Sequence, residues 1–100
     1  MTTAVRTWNS TRTKATVTVT LPDGRVKSLG GTRAARAEAA LVYERRDTGQ
    51  WDVLGLRGDA GAAQVEAYRI SSATTMRHGG ALLEITPTPA QAVPVMEVFG

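Results

Sequence analysis

Apolar and polar residues alternate strictly along Ala15-Thr-Val-Thr-Val-Thr-Leu21. That is the period of a half-buried strand, with Val17, Val19 and Leu21 turned to a core and Thr16, Thr18 and Thr20 to water. Pro22-Asp23-Gly24-Arg25 follows, and its Asp-Gly pair supplies the positive φ angles of a hairpin turn. A two-residue turn sets Leu21 opposite Val26 and Val19 opposite Ser28, and puts Lys27 beside Thr20 on the outer face. Gly30-Gly31 breaks the pattern. Two readings then compete from Thr32 to Glu44. The Ala-rich first half, with Thr32 as N-cap, favours a helix over 33–45. Leu41-Val-Tyr43 favours a strand over 39–46, turning at Asp47-Thr48-Gly49 into a second strand, Trp51–Leu56. In the strand version Arg45 or Arg46 lies near Trp51 and can stack on it.

Asp59 caps a helix over about 60–73. Ala60, Ala63, Ala67 and Ile70 fall on one face at helical spacing, and such small residues let a helix sit close to a sheet. Thr74 to Gly80 reads as a loop and Ala81–Thr86 as a strand with Leu83 and Ile85 inward. Pro87, Pro89 and Pro94 make the end irregular, yet Val93-Pro-Val-Met-Glu-Val-Phe99 is more apolar than a free tail, so it either packs on the domain or serves as a docking strip. Residues 1–14 are polar and rich in Thr, Asn and Ser, the pattern of a poorly ordered arm or short edge strand. Trp8 is the exception there, and docks back on the domain or on a partner. These elements predict a single α+β domain over 15–86, an antiparallel sheet of about four or five strands with one main helix on a face, flanked by a basic arm (1–14) and a Pro-containing apolar tail (87–100).

Composition narrows the function classes. One hundred residues allow one small domain with a modest core. With no cysteine, disulfides and thiolate zinc sites are excluded. The single histidine, His78, rules out a multi-His metal site within one chain. The N-terminal residues carry no apolar stretch of signal-peptide type, and no run approaches the roughly 20 apolar residues of a membrane span, so the expected location is the cytoplasm, with no membrane partner. The net charge of +3 is unevenly placed: residues 1–46 hold nine basic and three acidic side chains, whereas 47–100 hold three basic and six acidic.

The order hairpin, apolar strand, turn, Trp-containing strand, helix and final strand resembles small uncharacterised proteins of actinobacteriophages. The residues that carry the likeness are Val19-Thr-Leu-Pro-Asp-Gly-Arg25, Ala39-Ala-Leu-Val-Tyr43, Gly49-Gln-Trp-Asp-Val-Leu54 and the Ala-rich helix after Asp59. Family members often carry Tyr-Thr-His before the third strand; here the corresponding stretch is near Arg36-Ala-Glu38. The resemblance implies this fold and a phage or prophage origin, and supplies no activity, cofactor or site residue.

Candidate chemistry is sparse. His78 would need Ser71 or Ser72 and an orienting carboxylate to form a nucleophilic relay, and no nucleophile elbow is present. Gly30-Gly31-Thr32 lacks both phosphate-loop patterns. Asp47, Asp52 and Asp59 do not have calcium-loop spacing, and Glu44 and Asp52 lie next to arginines as paired surface charge. No cofactor, metal or catalytic residue is expected. The expected function is non-enzymatic binding of a protein, either a host factor or a second copy, through Trp8, Val95, Met96, Val98 and Phe99. The alternative is nucleic-acid binding through Arg6, Arg12, Lys14, Arg25, Lys27, Arg33 and Arg36.

Overall fold

The computed structural model describes residues 2–45, 47–72 and 88–98, together with the backbone of 75–78 and 81–84. Its elements are β1 (Thr3–Trp8), β2 (Ala15–Thr20), β3 (Val26–Gly30), α1 (Thr32–Arg36), β4 (Ala39–Glu44), β5 (Trp51–Arg57), α2 (Ala60–Ser72), β6 (Thr75–His78), β7 (Ala81–Glu84) and β8 (Ala90–Glu97). Six strands form one sheet in the order β3-β2-β1-β8-β4-β5, and β6 pairs with β7 alone. The α+β class and the single main helix stand. The sheet has six strands rather than four or five, and it is mixed, because β1 and β8 run parallel.

Both segments expected at the margins are central strands. Residues 3–8 lie between β2 and β8, not on an edge or in an arm, and residues 90–97 lie between β1 and β4. Threonine is a good strand former even where it makes a segment look polar. Pro94 is tolerated inside the sheet because β8 changes partner there. Residues up to Pro94 pair with β4, and those from Val95 onward pair with β1. The N–H of Val95 bonds the Glu38 carbonyl at 3.0 Å on the β4 side, so the missing N–H of Pro94 faces the β1 side, just before that ladder begins.

The β2–β3 hairpin forms, but its register is one residue from the expected one. Thr20 faces Val26 and Val19 faces Lys27, with Leu21 and Arg25 closing a three-residue loop through the 2.8 Å bond from the Leu21 N–H to the Arg25 carbonyl. Gly24, at φ +91°, supplies the left-handed third residue that such a loop requires. The shift turns Lys27 to the Val17–Val19 side, instead of the outer face, and leaves Val26 exposed outside.

That placement helps the sheet curl. Arg25 donates from Nη2 to the Trp51 carbonyl and Lys27 pairs with Asp52, so β3 and β5, the two edge strands, are bridged side chain to strand. α1 packs against β2, β3 and β5. The enclosed core includes Val17, Val19, Leu21 and Val42, each fully buried, with Trp8, Trp51 and Val95 packed against it. The ambiguity from Thr32 to Glu44 resolves as one turn of helix, Thr32–Arg36, followed by a strand, Ala39–Glu44. Thr32 is the first helical residue rather than the cap, which is Gly31 with no side-chain bond.

α2 lies on the opposite surface, over β8, β4 and β5. Ala63 and Ala67 are buried there, as are Ala39 and Leu41, which alternate with the core-facing Ala40 and Val42. The Asp59 cap is formed, its Oδ1 accepting the Ala62 N–H at 3.0 Å. The segment 74–80, expected as a loop, contains β6. Ile85 and the side chain of Leu83 lie outside the described residues.

Candidate functional site

Three surfaces bear on function, and the first removes several candidates. Ala4, Arg6 and Trp8 alternate with Thr3, Val5 and Thr7, so Arg6 is turned toward the core side and its side chain is only 13% exposed. Its Nε bonds Glu97 Oε1 at 2.5 Å. Its Nη1 bonds the carbonyls of Ala34 at 3.1 Å and Ala37 at 2.7 Å. Those carbonyls end α1, where intrahelical donors run out and a cation is favoured. Trp8 Nε1 donates to the other oxygen of Glu97 at 3.1 Å. The bonds from Arg6 first and Trp8 second hold the Glu97 carboxyl below the usual glutamate range. Arg6 and Trp8 are thus structural groups and are removed from the nucleic-acid and partner-binding sets. Arg25 and Lys27 are likewise engaged, Arg25 with Asp23 and Trp51, Lys27 with Asp52. Lys27 holds the Asp52 carboxyl below its ordinary range. Arg45 pairs with Asp47 instead of stacking on Trp51, and Arg46 lies outside the described residues.

The second surface is what remains of the basic set. Arg12, Lys14, Arg33 and Arg36 are exposed, and no side-chain hydrogen bond or ion pair joins them to other described residues. They come from the β1–β2 turn and from α1. Lys14 and Arg36 line one groove of about 670 Å³. Arg33 and Arg36 line a second of about 520 Å³, and the two grooves share Thr32 and Arg36. Glu38, the nearest carboxylate in sequence, accepts the Ala60 N–H at 3.1 Å and so is spent on the start of α2.

The third surface is the outer side of β3, β2 and β1 and the end of β8 beside β1, next to the part of the sheet that α2 covers. Its outward positions are Val26, Ser28 and Gly30 on β3, Thr20, Thr18 and Thr16 on β2, and Thr3, Val5 and Thr7 on β1, continued by Pro94, Met96 and Val98. None is charged. Val5 sits directly beside Met96 in the parallel ladder; Met96 is 51% and Val98 52% exposed. Met96 and Val98 therefore keep an outward position, Val95 packs on the core, and Phe99 lies outside the described residues. Sequence reasoning missed Val5, Val26 and the threonines as members of one face; the alternation was visible, but the adjacency of their strands was not.

Nothing resembling a catalytic centre is assembled among the described residues. Ser71 Oγ is bonded back to the Ala67 carbonyl at 2.9 Å, and the His78 side chain lies outside them. No group of three or more His, Asp or Glu residues among them is placed to hold a metal, and no helix among the described residues is long and apolar enough to cross a membrane. No protein-family model, curated protein or solved structure matches the chain significantly.

Proposed function

We propose that the chain is a non-enzymatic binding module whose partner is a protein, and that the partner is a second copy of itself, met through the outer face of β3, β2, β1 and β8. The observation that supports this is the absence of any charged side chain from the outward positions of four neighbouring strands, in a chain where 21% of residues are charged. Solvated surfaces of small domains carry both signs interspersed. Depletion of charge, with methionine enriched, marks the centre of protein interfaces. A second copy fits better than a charged partner. Two molecules of net charge +3 repel each other generally, and a neutral face is where they can meet without facing like charges. Two such sheets stack about 10 Å apart with their side chains interleaved. The phage or prophage origin suggested by the resemblance belongs to the same proposal, as a setting for a small self-assembling protein.

Four strands about 4.8 Å apart and six residues long give a face of roughly 20 by 20 Å. That is small for a specific interface, so association is weak and is sought near about 0.1–1 mM. Sedimentation equilibrium over that range should show a monomer–dimer equilibrium that strengthens as salt screens the net charge. Met96→Lys should raise the dissociation constant by at least about tenfold. A monomer at every concentration, or a dimer indifferent to Met96→Lys, overturns the proposal.

A further inference from the structure

We propose that the rim formed by the β1–β2 turn and α1 binds the phosphate backbone of duplex nucleic acid, without reading its sequence. The starting point is how the seven basic residues of the first 36 divide. Arg6, Arg25 and Lys27 are neutralised within the chain, whereas Arg12, Lys14, Arg33 and Arg36 converge on one end of the curled sheet with no ionic partner among the described residues. Glu97, the carboxylate that Arg12 acts on, is already held by Arg6 and Trp8. Glu38 is drawn away to the N-terminus of α2. The local charge is therefore uncompensated, which the modest net charge of the whole chain conceals.

The shape suits an extended anion. The two grooves meet at Thr32 and Arg36, so Lys14, Arg36 and Arg33 follow one continuous depression rather than ringing a single pocket. A row of cations along a depression matches successive phosphates of a backbone. Thr32 lies where the two grooves meet, and a threonine is of the type that adds neutral bonds to phosphate oxygens. The choice of duplex over single strand follows from Trp8. Single-strand binders stack bases on aromatic rings. The tryptophan nearest this rim packs against the core and is tied to Glu97 through its indole N–H, so the described residues offer no stacking platform at the rim. Binding then depends on charge density alone, which is higher in a duplex.

The test is fluorescence anisotropy of a labelled 20-base-pair duplex (about two helical turns) against the full chain, as a function of salt, with the single strand of the same sequence in parallel. With Lys14, Arg33 and Arg36 on phosphates, log affinity should fall with log salt at a slope of about −2.7, so affinity drops about 40-fold from 50 to 200 mM. The double variant Arg33→Ala/Arg36→Ala should flatten the slope by about 2. Arg69→Ala, which removes an exposed charge from α2, should leave it unchanged. All three side chains are exposed, and circular dichroism checks that each variant is folded. The proposal is overturned if no duplex is bound at 50 mM salt, if Arg69→Ala matters as much as either α1 arginine, if the single strand binds more tightly, or if polyglutamate of equal charge competes equally well. Self-association should strengthen with salt and nucleic-acid binding should weaken, so the two proposals fail separately.

Discussion

Arg6 and Glu97 stand 91 positions apart in the chain and are joined by a 2.5 Å bond across the parallel β1–β8 pair. The bond ties the first strand to the last. Through its other nitrogen Arg6 also closes the carbonyl end of α1, a helix of five residues that is too short to persist without tertiary support. One side chain thus couples both ends of the chain to the element that carries Arg33 and Arg36.

Replacing Arg6 by methionine keeps much of the side-chain volume and removes these bonds. The two carbonyls of α1 lose a charged donor, and stability should fall by about 2 kcal/mol. For a domain of this size that is a decrease in Tm of about 10 °C by differential scanning calorimetry. Duplex affinity should fall as well, because α1 loses its anchor.

The acid limb of the stability curve carries the signature of Glu97. Its pKa is lowered in the folded state, chiefly by the bond from Arg6 and then by that from Trp8. At neutral pH the carboxyl is ionised in both folded and unfolded chains, and the stabilisation is complete. As pH falls below the unfolded value of about 4.3, the unfolded chain takes up the proton first, and stability is lost progressively through the lower folded value. Glu97→Gln should lower stability at pH 7 and flatten the dependence below about pH 4.5, measured by urea unfolding at a series of pH values. An unaltered acid limb contradicts the role given to this carboxylate.

The hairpin register makes a separate claim. Gly24 has open space around its missing Cβ and a φ of +91°, so any cost of Gly24→Ala comes from the backbone alone. It should be about 1–2 kcal/mol, with Gly24→Asn costing less because asparagine tolerates the left-handed region. Equal stability of the alanine variant contradicts the three-residue loop.

The start of α2 rests on two carboxylates, Asp59 bonding the Ala62 N–H and Glu38 bonding the Ala60 N–H. Asp59→Ala should cost about 1 kcal/mol. Glu38→Ala should cost less by thermal melting, since its side chain is exposed and spans two elements.

What could be read from the sequence was local. The alternation of 15–21, the Asp59 cap and the alanine face of α2 are each set by residues within a few positions of one another, and each stands. What escaped was set at long range. Residues 3–8 looked like a polar arm or a short edge strand, rather than a central one, because the partner that lets Arg6 sit inward is Glu97, at the other end of the chain. The apolar end could be read as packing on the domain or as a docking strip; it packs, and its place between β1 and β4 depends on both. The hairpin register escaped for a subtler reason: Asp-Gly serves two-residue and three-residue loops alike, and only the position of the left-handed residue separates them. The basic half divided in the same way. Net charge marked it, but only the fold separates cations already paired from those left to bind.

The neutral outer face is the central claim, and amide NMR of the full chain as a function of concentration tests it most directly. Between about 0.05 and 1 mM, shifts should move together with one dissociation constant, and should be confined to Thr3–Thr7, Thr16–Thr20, Val26–Ser28 and Met96–Val98. Concentration-independent spectra, or shifts centred on α2 or on the α1 rim, would contradict it.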